Sequence, residues 1–153
     1  MADSNITKHY IQTWIEARTR FSNLLPAISS FDLIKKLSGT KNSAGFLMRH
    51  ICDVELLFAK NVFKSTELEV HAKTVISQLD TGEWTNLEEL SQNNSYAFKA
   101  LQQVLYIQTD NVWSTIITTK EFGTKTKAEA FGRIVSHTAY HAGQLSLTLK
   151  YGI

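Results

Sequence analysis

His137 and His141 stand four residues apart in a stretch whose pattern is helical, so their imidazoles lie about 6 Å from each other on one face. Two rings at that separation can converge on one metal ion. At about 100° per residue, both fall with Gln144 about 80–140° round from the apolar stripe that runs through Phe131 and Leu149. They therefore border the core, while Ser136, Gly143 and Lys150 take the opposite edge. His50 is placed in the same way on another helix, about 60° from Leu47 with Phe46 and Leu57 beside it. Helices packed with these borders facing would bring three imidazoles into one groove. Such spacing also arises by chance, and a border imidazole can serve only to hydrogen-bond a neighbour.

Other polar residues cluster around the same helices. Asp53 projects about 60° from His50 on the same side, where it can orient an imidazole or accept a proton, and it ranks above Glu55, which lies about 140° away. Either carboxylate reads equally well as a solvated or salt-bridged helix residue. Gln144, three residues after His141, can hold a metal water or fix the packing by a buried hydrogen bond. Cys52 lies about 160° round its helix from His50, so a thiol nucleophile would have to come from a small cosubstrate. Tyr10 and Trp14 can line a pocket or belong to the plain core, and His9 and His71 read as surface residues.

Four long helices are expected to position these groups, because apolar residues recur every three or four positions in four stretches. The first opens near Asp3 or Ser4, carries Tyr10, Trp14, Ala17 and Phe21, and stops or kinks at Pro26. A short helical turn over Asp32 to Leu37, closed by Gly39, should follow. Asn42 or Ser43 caps the second helix, whose stripe is Leu47, Ile51, Val54, Phe58 and Val62. Residues 64–84 are polar and aperiodic and read as a long connection that crosses the bundle or covers one end. Thr85 and Glu88 form a capping-box pattern before the third helix, and Thr126 and Glu129 repeat it before the fourth, which continues to Gly152. A loop with a short apolar piece, Val112 to Ile117, joins these two helices through Gly123. The expected fold is all-α, a four-helix bundle with a long connection between helices 2 and 3, in one domain over residues 1–153.

Composition narrows the function classes. With 16 Lys+Arg against 14 Asp+Glu the net charge is only +2, and no basic stripe is present to recognise nucleic acid or an acidic membrane. The single cysteine rules out an internal disulfide. The first twenty residues lack the apolar core of a signal peptide and no later stretch approaches a membrane span, so a cytoplasmic location is expected.

Two segments carry a family resemblance. Ser43-Ala44-Gly45-Phe46-Leu47-Met48-Arg49-His50-Ile51-Cys52-Asp53-Val54-Glu55 and His137-Thr138-Ala139-Tyr140-His141-Ala142-Gly143-Gln144 resemble the two signatures of the DinB-like superfamily, the damage-inducible DinB and YfiT-type proteins. The resemblance extends over nearly the whole chain, with one departure: Ala142 stands where the family often has a basic residue. It implies a four-helix bundle, often a homodimer, with a divalent metal held by three histidines, here His50, His137 and His141. Zinc or nickel is expected first, and iron, manganese and copper also suit imidazole ligands. Three neutral imidazoles leave the ion its full charge and an open position, the pattern of a catalytic site. Water there is acidified from pKa 15.7 toward about 7 and a thiol loses its proton. The resemblance thus implies an enzyme that moves a low-molecular-weight thiol onto a small electrophile, or a hydrolase that uses metal-bound water. The alternative is a non-catalytic, stress-linked metal-binding or helical interaction protein.

Overall fold

Pro26 has no N–H to give and its ring clashes with the preceding turn. In the computed structural model, which describes residues 5–153, α1 accordingly runs Asn5–Ser22 and gives way to a 3-10 turn at Leu25–Ala27. The proposed caps Asp3 and Ser4 lie outside the described residues. Two amides of the first turn are met from far along the sequence: Ile6 and Thr7 donate to the Asp110 carboxylate at 3.3 and 2.8 Å.

The helical turn expected over Asp32 to Leu37 is not formed. Ser30–Asp32 makes a 3-10 turn, and the chain then extends so that Lys36 bridges Ser43 and exchanges two 3.1 Å backbone hydrogen bonds with Ile153. Bonds to distant partners thus replace those that a local helix would have supplied. Gly39 turns this segment with a φ of +77°, a conformation that costs a residue with a Cβ.

Ser43 caps α2, Ala44–Val62, by accepting from the Phe46 amide at 3.2 Å. Correcting the expectation of an aperiodic connection, residues 64–84 contain a short helix α3, Lys73–Ser77, which packs on the flank of α2. The cap of α4, Leu87–Tyr106, is Asn86 rather than Thr85, its side-chain oxygen accepting from the Glu88 and Glu89 amides at 3.1 and 3.2 Å. Past a 3-10 turn at Asp110–Ser114, the expected loop is an antiparallel hairpin, β1 Ile116–Thr119 and β2 Gly123–Thr126, in register Ile117 to Lys125. The run Ile116-Ile117-Thr118-Thr119 is β-branched throughout, which favours strand over helix. Both halves of the Thr126/Glu129 capping box open α5, Lys127–Tyr151.

The helices neighbour one another in the cyclic order α1, α4, α2, α5, so α1 and α2 face across a diagonal. That diagonal is crossed by a buried ion pair: Arg18 Nε and Nη2 hold Glu55 at 2.9 and 3.0 Å, and Nη2 also donates to Asn94 of α4 at 2.8 Å. Apolar packing surrounds it in two clusters. One gathers Phe21, Leu33, Leu47, Ile51 and Leu145, and the other joins Trp14, Phe58, Leu101, Trp113 and Phe131. None of the described helices is long and apolar enough to cross a membrane.

Candidate metal centre

The border positions of α2 and α5 do face each other, and the three histidines meet between the two helices. One nitrogen from each of His50, His137 and His141 lies within 4.8 Å of the others, the one such cluster among the described residues. The Nε2 atoms of His50 and His137 are 3.2 Å apart. Two ligands that each stand about 2.0–2.1 Å from one tetrahedral ion are separated by about 3.4 Å. This pair is therefore already spaced as common ligands, and the third ring has to draw in by no more than about 1.4 Å to join them.

Hydrogen bonds determine which nitrogens are free. The Gln144 Oε1 atom accepts from His141 Nδ1 at 2.7 Å, which leaves the His141 Nε2 lone pair available. The His50 Nδ1 atom is 3.2 Å from the Thr74 hydroxyl, whose own proton is donated to Asp53 Oδ2 at 2.8 Å. A hydroxyl has one proton to give, so Nδ1 is the donor in the first bond and His50 likewise presents a bare Nε2. His137 differs, because its buried Nδ1 has no hydrogen-bonding partner among the described residues.

All three rings are half-buried, and this environment keeps them neutral. Burial, helped by His141, lowers the pKa of His50 to about 4. Burial first, then His141 and His50, lowers that of His137 to about 3. Burial also lowers His141, against the opposing pull of its bond to Gln144. A neutral imidazole with an exposed lone pair is the form that binds metal. The donor set therefore fits a divalent metal ion.

Beside His50 and His137 opens a cleft of about 900 Å³, walled by Val54, Phe58 and Ile134, by Phe122 of the hairpin, and by Val75 of α3. This volume suits a small molecule. Its charged residues are Lys120, Glu121 and Arg133.

The remaining candidates are placed as follows. Asp53 is fully buried and bonded to Arg49 and Thr74 rather than to an imidazole: Arg49 Nε pairs with it at 2.7 Å, and the Thr74 hydroxyl links it to His50. Glu55 belongs to the Arg18 pair across the bundle diagonal. Cys52 is buried 3.9 Å from Asn94 Oδ1, and burial raises the pKa of its thiol, so it takes no part in the cleft. Tyr10 and Trp14 are core rather than pocket: Tyr10 stacks on Trp113 at 4.3 Å and Trp14 on Phe98 at 5.3 Å. His9 and His71 are exposed. Sequence reasoning missed Thr74 and the hairpin wall. Thr74 gave no signal, since its relation to His50 exists only once residues 64–84 have docked, whereas the β-branched run announced the hairpin.

No curated protein matches this chain. A family model described as the DinB superfamily matches residues 13–145, a span that takes in both histidine segments, and the chain belongs to that superfamily.

Proposed function

We propose that this protein is a divalent-metal-dependent enzyme that joins a low-molecular-weight thiol to a small electrophile, with His50, His137 and His141 as the metal ligands. The observation that carries this reading is the cleft of about 900 Å³ that opens directly beside two of the three histidines. A centre that served only to hold the fold together would have no need of such an opening. A divalent ion, when bound, supplies the positive charge that makes a thiol or water nucleophilic at neutral pH.

The protein's own residues account for the rest. Thr74 and Gln144 orient two of the ligand rings through their Nδ1 atoms. Val54, Phe58, Ile134 and Phe122 provide an apolar wall that shields the reacting groups from water. The nearby carboxylates Asp53 and Glu55 are both paired with arginines, so neither offsets the charge of the ion. With Cys52 buried, the thiol has to enter from solution. Hydrolysis in the same cleft is the variant of this chemistry in which water takes the place of the thiol.

The test pairs elemental analysis of untagged protein with turnover of an aryl halide in the presence of cysteine or glutathione. His141→Ala is expected to lose both metal and turnover while retaining its helical circular dichroism. Turnover that survives in His141→Ala would overturn the proposal. Stoichiometric metal without turnover of thiol or hydrolytic substrates would favour a non-catalytic metal-binding protein.

A further inference from the structure

We infer that Thr74 is a positioning residue for the metal centre, and that docking of the segment between α2 and α4 is coupled through it to metal binding. The inference rests on the reading that the three histidines hold a metal. Thr74 is 1% exposed and lies on α3, more than twenty residues from His50 in sequence. Its backbone N–H and its hydroxyl both donate to Asp53 Oδ2, at 3.1 and 2.8 Å. With its proton committed to the carboxylate, the hydroxyl faces His50 Nδ1 as an acceptor at 3.2 Å, which holds the ring in the tautomer whose Nε2 is bare.

The carboxylate is fixed in its turn. Arg49 Nε holds Asp53 Oδ1 at 2.7 Å, and Arg49 Nη2 donates to the His71 carbonyl at 3.0 Å. The Arg49 guanidinium also lies 5.1 Å from the ring centre of Trp84, at the far end of the same connection. One Arg–Asp pair on α2 therefore grips residues 71, 74 and 84 and passes their position to His50. The contrast with His141 is informative: its orienting partner Gln144 sits one turn along the same helix and needs no other segment.

The consequence is a linkage between two events. If docking of residues 71–77 favours the ligand form of His50, then a metal on His50 must favour docking to the same extent. α3 also supplies Val75 to the cleft wall, so the segment that orients the ligand helps to shape the opening beside it.

The experiment measures zinc affinity by competition calorimetry for the wild type, Thr74→Val and Thr74→Ser, together with amide hydrogen exchange over residues 71–77 with and without zinc. Thr74→Val is expected to weaken zinc binding about 10–100-fold, and Thr74→Ser, which keeps the hydroxyl, to restore it. Zinc should slow exchange across residues 71–77 in the wild type and have a much smaller effect in Thr74→Val. Thr74→Val with wild-type zinc affinity, or wild-type exchange that ignores zinc, overturns the inference. A purely structural role would lower the melting temperature without moving zinc affinity. Exchange in the wild type stands as a test even where Thr74→Val folds poorly. Failure of the wild type to bind zinc, nickel, copper, iron or manganese would instead remove the metal reading, and the inference with it.

Discussion

The Nε2 atoms of His50 and His137 stand 3.2 Å apart, and Thr74 occupies the other nitrogen of His50. Burial penalises a charge on either ring, and the neighbouring imidazoles add to that penalty, so the pocket resists protonation. Resistance of this kind has a cost that depends on pH. An unfolded histidine takes up a proton near its ordinary value of 6.5, whereas His50 and His137 do so only near 4 and 3. Below pH 6.5 the unfolded chain therefore binds more protons than the folded one, and folding loses stability as the pH falls from 6.5 toward 3. Urea denaturation of metal-free protein between pH 7.5 and 4 should show this slope, and it should flatten in His137→Leu. A wild-type profile no steeper than that of the variant would contradict the account.

The Arg18–Glu55 pair is buried on both sides, at 3% and 0% exposure. Arg18→Ala leaves the carboxylate buried without its counter-charge and is expected to cost about 3–5 kcal/mol. Replacing both partners, with Arg18→Met and Glu55→Leu, should recover most of that loss, since the charge left stranded in the single variant is then gone. Denaturant unfolding of the single and double variants checks the order. A double variant less stable than Arg18→Ala would point to a role for the pair beyond mutual neutralisation.

Asp110 accepts from the Ile6 and Thr7 amides at the start of α1. Asp110→Ala is expected to cost about 1 kcal/mol, the usual worth of a helix cap. Hydrogen exchange gives the sharper reading, because the amides of Ile6 and Thr7 should accelerate while those in the middle of α4 move only with global stability.

Gly45 lies under the end of the long connection, and a Cβ built on it would come 1.9 Å from the Trp84 carbonyl oxygen. Backbone would have to move to admit even alanine. Gly45→Ala is expected to destabilise by about 1–3 kcal/mol, a loss that thermal unfolding would detect. Because Trp84 also lies against Arg49, zinc affinity should weaken in the same variant. An unchanged melting temperature would show that the connection can shift freely there.

Much of this protein was determined by local pattern alone. The apolar stripes, the Thr126/Glu129 capping box and Pro26 specify where α1, α2 and α5 run, because such signals act within a turn or two of one helix. The same periodicity put His50, His137 and His141 on core borders, and the structure brings these borders together. Tertiary structure alone decided what no local pattern encodes. The pairing of Lys36 with Ile153, more than a hundred residues apart, replaced an expected helical turn. It also decided the chemical form of the site. Which nitrogen of His50 carries the proton depends on Thr74, Asp53 and Arg49, which meet only when a polar connection folds back on α2, since a hydrogen bond is sensitive to tenths of an ångström that sequence spacing does not resolve.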